Sequence, residues 1–249
     1  MTFKINEVIL GDSIELLRTI PPCVFDLCLT DPPYGIDFKQ NCGTERLTKD
    51  GIENDEKENY AFLKTIVREI HRTLREDSHL YFFTRWDKLD LHIPLLSEFF
   101  KLKNLLIWEK DGFGLGDLEG AYATNYECIL FATKGRKKLN EIEGNARHPS
   151  ILRYNNVNPN FKLHNHEKPT SLLRFLIEKS SNQNDIILDP FCGSGSTAEA
   201  SLSCGRRFFT CELVPDIHRL ASERIKTFLT LRSESKIKKG LFDFSEEKQ

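Results

Sequence analysis

Residues 25–30, FDLCLT, read as a strand with no polar face, and DPPYG at 31–35 ends it. A strand apolar on both sides belongs inside a sheet covered by helices on both faces. That points to a doubly wound, mostly parallel α/β arrangement if strands and helical patterns alternate along the chain. They do alternate. EVIL (7–10) reads as a strand and is followed by a helical pattern with Ile14, Leu16, Leu17 and Ile20. Phe62, Leu63, Ile66, Val67, Ile70 and Leu74 fall at helical spacing within 60–75. HLYFFT (79–84) is a strand, with a helix over roughly 87–100 to cover it. LLIWEK (105–110) and YECILFAT (126–133) are further strands. Pro169 opens a helix with Leu172, Leu173, Leu176 and Ile177 on one face. DIILD (185–189), a glycine loop with a short helix, RRFFTCEL (206–213) and a helix over 216–229 complete a seven-stranded sheet.

A length of 249 residues suits a single domain. Hydrophobic residues at 39% and charged residues at 29% exclude a disordered chain. Charges interrupt every apolar run before the ~18 residues of a membrane span. MTFKINEVILGDS lacks the apolar core of a signal peptide. The seven cysteines (23, 28, 42, 128, 192, 204 and 211) include no C-x-x-C pair, so no metal site is expected. They read as reduced thiols of a cytoplasmic protein. A net charge of −2 is unusual for a nucleic-acid protein, but residues 134–153 hold six Lys/Arg against two Glu, enough for a stripe along a phosphate backbone. Three stretches stand apart from the alternation. These are a mobile loop at 37–59, an irregular insertion at 135–165 and a charged tail over 232–249.

ILDPFCGSGSTA places Asp189 at a strand end and Gly193 and Gly195 in a tight loop that starts a helix. Such a loop brings backbone N–H groups close to a ligand. Glu212 ends the next strand, where a carboxylate can accept from two ribose hydroxyls. A nucleoside-containing cofactor follows, and GSGSTA also fits a variant of the dinucleotide fingerprint. A P-loop is excluded, because no lysine follows the glycines. Asp189 weighs against a pyrophosphate and for a ligand with a positive amino-acid end.

LTDPPYG (29–35) makes a rigid, extended tetrapeptide at a strand's C-terminal edge, because Pro32 and Pro33 block both ladder and helix. Asp31 and the Pro32 carbonyl each offer an acceptor, and Tyr34 offers an aromatic face. These parts suit an exocyclic aromatic amine. Its lone pair is delocalised into the ring, and two acceptors for its N–H groups would draw the nitrogen towards tetrahedral geometry. Tyr34 can stack on the base.

With GDS at 11–13, DPPYG at 31–35, HEKP at 166–169, DPFCGSGST at 189–197 and GRRFFTCEL ending near Glu212, the chain resembles the β-class DNA amino-methyltransferases over nearly its whole length. The resemblance implies S-adenosylmethionine as cofactor, DNA as substrate, and transfer of methyl to adenine N6 or cytosine N4. It implies a circularly permuted, Rossmann-like methyltransferase sheet of order 3-2-1-4-5-7-6 with the last-numbered strand antiparallel. By matched position, Asp31, Pro32, Pro33 and Tyr34 would hold a base flipped out of the helix. Phe191, Gly193 and Gly195 would line the methionine end, with Asp189 near its amino group and Lys168 and Pro169 closing that side. Ser194, Ser196 and Thr197 would add contacts, Glu212 would bind the ribose and Asp12 would sit near the cofactor adenine. DPPY is the form typical of adenine enzymes, so adenine is expected. The segment 135–165 matches the family's target-recognition region, and the family further implies a possible homodimer and a possible restriction endonuclease partner. HNHEKP departs from the usual HPTQKP, leaving His164 and His166 without an assigned role. DGFGLGDLEG (111–120) reads as a loop near the DNA and Trp108 as core. Alternatives are cytosine N4, an RNA substrate, an NAD(P)-dependent oxidoreductase, which leaves DPPY unexplained, and a non-catalytic DNA-binding module.

Overall fold

The computed structural model describes residues 3–33, 54–112, 119–120, 122–145, 147–157 and 167–246. Tyr34, His164, His166 and residues 37–53 of the 37–59 loop lie outside them. For 54–59 and 235–246 only the backbone path is described.

Eight strands form a single sheet: β1 (Val8–Leu10), β2 (Phe25–Thr30), β3 (Leu74–Thr84), β4 (Lys101–Glu109), β5 (Tyr126–Lys134), β6 (Ile151–Arg153), β7 (Ile186–Asp189) and β8 (Arg207–Glu212). Their order is β1-β8-β7-β2-β3-β5-β4-β6. Leaving β6 aside, this is the permuted order that the resemblance implies, with β5 antiparallel to both β3 and β4. The seven-strand expectation is corrected by β6. This strand lies inside the stretch read as irregular and pairs in parallel with Ile107–Glu109 of β4. A three-residue strand has no pattern of its own, and its neighbour defines it.

Helices α1 (Ser13–Thr19), α2 (Asn54–Thr73) and α3 (Leu89–Ser97) cover one face. Leu17, Ile66, Val67, Ile70, Leu95 and Leu96 pack there on Phe25, Cys28, Leu80, Phe82, Leu188 and Phe209. Helices α4 (Thr170–Ser180) and α5 (Ser196–Ser203) cover the other face. Leu172, Leu173, Leu176, Ile177 and Ala200 pack on Leu27, Leu29, Tyr81, Phe83 and Ile187. Side chains of one strand alternate between faces, so β2 feeds both cores and all six of its residues are buried. Helix α6 (Pro215–Glu246) presents Ile225 and Phe228 to Phe208, Ala198 and Leu202.

Two helices exceed their expected bounds. Helix α2 begins at Asn54, so the last residues of the 37–59 stretch are helical. Helix α6 continues through the charged tail to Glu246. The added residues of α2, 54–59, are mostly charged and leave no apolar periodicity to read, whereas those of α6 do carry Ile237, Leu241 and Phe244 at helical spacing within a charged stretch.

From β7 the chain moves towards β8, whereas from β2 it moves towards β3, so the two strands flank the point where the winding direction reverses. Ligands of open α/β sheets bind outside the strand ends at such a point. Cys28 pairs with Leu188, so Asp189 and, two residues further along, Asp31 come to the same edge.

The basic stretch is divided by this topology. Because β5 is antiparallel, it ends on the edge opposite Asp31. There Lys134 Nζ is buried and donates to the carbonyls of His71 and Leu74 (3.0 and 2.7 Å) at the end of α2. Asn140 is held by the carbonyls of Glu178 and Ser181 near the end of α4 (2.9 and 2.7 Å). Residues 134–140 therefore line the far edge, and the phosphate-tracking stripe expected over 134–153 does not form as one surface. Arg153 does reach the edge that carries Asp31, where it pairs with Glu109 at 2.8 Å.

Phe82→Ala tests the shared core. The ring is fully buried between β2, β5 and α3, and its loss is expected to cost about 3–5 kcal/mol. This should appear as a lower urea midpoint with an unchanged slope.

Candidate active site

Asp31 follows β2 in extended backbone, ahead of the two prolines. Lys168 Nζ donates to its Oδ2 at 2.6 Å. The same ammonium lies 2.9 Å from Glu127 Oε2, and Lys110 Nζ donates to Glu127 Oε1 at 2.7 Å. Four charges thus alternate as Asp31, Lys168, Glu127 and Lys110. Lys168 is buried and sits 5.2 Å over the Phe83 ring, which fixes its stem. Burial alone would lower its pKa. Asp31 and Glu127 outweigh burial and hold the ammonium well above the usual lysine range. Burial pushes the Glu127 carboxyl up, but Lys168 and Lys110 hold it below the usual carboxylate range.

Glu127 reaches this edge because β5 runs antiparallel, so the start of β5 lies beside the ends of its neighbours. No motif marked this residue. The available signal was a lone carboxylate opening the otherwise uncharged run YECILFAT. Trp108 is core as expected, 1% exposed, with its indole N–H donating to the Tyr154 carbonyl at 2.8 Å.

The glycine loop joins β7 to α5 with Gly193 and Gly195 at φ +50° and +81°. A Cβ on Gly195 would lie 3.3 Å from that of Ala221, so both backbone conformation and helix packing call for glycine. Asp189 Oδ1 accepts from the Phe191 N–H at 3.1 Å. Burial raises the Asp189 pKa to about 7; hydrogen bonds from Thr197 and Phe191 oppose the rise, and Asp31 and Glu212 add to it. No cation among the described residues pairs with Asp189. Such a carboxylate fits a ligand that brings an ammonium with it. Glu212 caps the same loop, its Oε2 accepting from Gly193 N and its Oε1 from Val214 N, both at 3.0 Å. Asp12 is the N-cap of α1, accepting from Glu15 N at 2.9 Å, and the adjacent Gly11 N donates to the Glu212 carbonyl at 3.0 Å. Phe191 packs 6.1 Å from the Phe62 ring. Ser194, Ser196 and Thr197 are buried at the start of α5. Pro32 and Pro33 are described, whereas Tyr34 is not.

A second charge cluster was not visible in the sequence. Arg224 of α6 donates to Glu167 Oε1 at 2.6 Å and to Glu199 of α5, and lies 3.4 Å from the Ser194 carbonyl. Glu167 therefore ties its segment to the glycine loop, while the next residue, Lys168, ties it to Asp31. Cys192 and Cys211 line the same region, but burial and the nearby Asp189 push both thiols up, so neither is poised as a nucleophile.

The description DNA methylase belongs to the family model of N6/N4 methyltransferases that matches residues 25–223. The putative methylase YubD of Escherichia coli is 30% identical over 88% of this chain and 90% of its own. The DNA adenine methyltransferase YhdJ of Escherichia coli is 25% identical over 88% of this chain and 82% of its own. Among solved structures, the complex of M1.HpyAVI with SAM superposes with a TM-score of 0.69 at 20% identity, covering 88% of this chain and 98% of that one. The cytosine-N4-specific PvuII DNA methyltransferase gives 0.70 at 16% identity, covering 90% and 93%. The family match spans both DPPYG and the glycine loop, which sets aside the oxidoreductase reading of that loop.

Two outcomes follow from these charges. Arg224→Met removes the guanidinium that Glu167 and Glu199 share and should destabilise the protein by about 3–5 kcal/mol in chemical denaturation. Asp189→Asn tests the buried acid. With a folded pKa of about 7 against an ordinary ~3.9, the native state holds the extra proton between those values. Stability supplied by the protonated form therefore falls as pH rises from about 4 to 7. Asn mimics that form, so the cofactor-free variant should gain on the wild type by on the order of 2 kcal/mol between pH 5 and pH 8. A constant difference across that range would refute the raised pKa.

Proposed function

Because the chain belongs to the N6/N4 DNA methylase family, we propose that it transfers a methyl group from S-adenosylmethionine to the exocyclic amine of a flipped DNA base, and that this base is adenine. The observation that carries the reading is the arrival of Asp31 and Asp189 at the same edge, at the reversal point of the sheet. One carboxylate follows a strand that stops at two prolines. The other opens a glycine loop.

The cofactor site is assigned to the loop. Asp189 would take the amino group, which fits a buried acid with no cation of its own among the described residues. The N–H groups around Gly193 to Gly195 would approach the methionine end, with Phe191, Ser194, Ser196 and Thr197 around it. Glu212 would turn to the ribose hydroxyls and Asp12 to the adenine side. Both carboxylates hold backbone N–H groups, which fixes their direction before any ligand arrives. S-adenosylmethionine supplies a sulfonium-activated methyl group when bound.

Asp31 and the Pro32 carbonyl would each accept one N–H of the target amine. That localises the nitrogen lone pair and aims it at the methyl carbon. As positive charge develops on the amine, the Asp31 carboxylate stabilises it, and the proton leaves afterwards. A base within a duplex must be extruded first, at a cost of a few kcal/mol. Tyr34 is assigned to stack on it. Adenine is supported by the DPPY form and by the name of YhdJ. Cytosine N4 is the second reading, favoured by the fold's likeness to the PvuII enzyme.

Incubation with S-adenosylmethionine and duplex DNA, digestion to nucleosides and mass analysis test the assignment. N6-methyladenine is expected; N4-methylcytosine would replace the base assignment and leave the mechanism standing. Asp31→Ala should lower turnover at least a hundredfold with cofactor affinity retained. Near-normal turnover of that variant would remove Asp31 from the chemistry.

A further inference from the structure

Lys168 engages Asp31, the residue assigned to the target amine. A lysine ammonium 2.6 Å from that carboxylate competes with the amine for it. Charge makes the conflict sharper. The amine becomes cationic as it is methylated, and an Asp31–Lys168 pair by itself is neutral, so it would offer that cation little stabilisation.

Glu127 resolves the conflict. Its Oε2 lies 2.9 Å from the same ammonium. The ammonium has three N–H donors and bridges the two carboxylates, Asp31 Oδ2 and Glu127 Oε2. The second carboxylate is already in place and can keep the ammonium when another donor takes Asp31. Lys110, on the other oxygen, holds Glu127 in position and sits 4.8 Å over the buried Trp108 ring.

We infer that Glu127 is a positioning residue that acts through Lys168: it takes over the ammonium when the target amine arrives, which releases the Asp31 carboxylate to the amine. Before base entry Lys168 donates to Asp31. With the base bound it stays with Glu127 Oε2, and the Asp31 carboxylate faces the developing cation without a lysine against it. The inference rests on the assignment of Asp31 as acceptor of the target amine. It adds a residue with no part in binding cofactor or base.

Turnover of E127Q, D31N and E127Q/D31N on duplex DNA tests this, with cofactor and DNA affinities measured in parallel. E127Q is nearly isosteric and is expected to lower kcat at least about tenfold with both affinities unchanged within twofold. Since the effect passes through Asp31, the double variant should be no slower than D31N, whose residual rate is read with labelled cofactor over long incubation. Wild-type kcat in E127Q overturns the inference, and so does a penalty that multiplies in the double variant. Both results leave the Asp31 assignment intact. Near-normal turnover of D31N instead refutes that assignment and the inference with it. If melting curves show E127Q unfolded, E127M runs the same cycle. If D31N falls below detection, K168Q serves as the background, in which removing the Glu127 charge should have no further effect.

Discussion

Burial of β2 and β7 on both faces is the constraint from which the rest of the molecule follows. Neither strand can meet water, so helices must lie above and below, and each parallel connection must cross the sheet. Polar chemistry is then confined to the strand ends. At one end stand Asp31, Asp189 and Glu212. The other end is given over to anchoring. Lys134 closes α2 there, and His79 hydrogen-bonds Ser180 and the Lys137 carbonyl at 2.9 and 3.2 Å. Burial pushes the pKa of that imidazole down to about 4, so it packs as a neutral ring. The two edges of one sheet do different work because the helices leave only the edges open.

The edge that carries Asp31 and Asp189 is acidic by construction. Carboxylates from four strands converge on it, and desolvation makes each costly unless paired. The molecule answers differently in each case. Glu212 is tied to backbone N–H groups, Glu127 is held between two lysines, and Asp189 takes up a proton near neutrality. An edge arranged like this favours ligands that bring positive charge, which S-adenosylmethionine does at both its sulfonium and its amino group.

The elements that were legible in the sequence are those with dense local patterns. FDLCLT marked β2 at both of its ends, and the Asp189–Gly195 loop announced its own turn and helix. Strand β6 was invisible because three residues acquire their meaning from β4. The first turns of α2 were missed because charged helix formers carry no apolar stripe, and the last of α6 because its charge count outweighed Ile237, Leu241 and Phe244. Residues drawn from motifs proved easier to find than residues that serve them. Glu127 and Arg224 act across the sheet, 96 and 57 positions from Asp31 and Glu167, and no spacing rule spans such a gap. The basic count over 134–153 ignored the direction of β5, which sends residues 134–140 to the far edge while Arg153 lies beside Glu109 at the other.

Glu167 and Lys168 are neighbours in the chain whose side chains run to opposite partners, Arg224 beside the glycine loop and Asp31 after β2. Pro169 then fixes the backbone as the N-cap of α4. Such a dipeptide tolerates no change of length, because one inserted residue would break one of the two ties. A shift of register at this dipeptide would therefore disturb the glycine loop and Asp31 together, so two adjacent residues set the spacing between parts of the molecule that lie far apart in the chain.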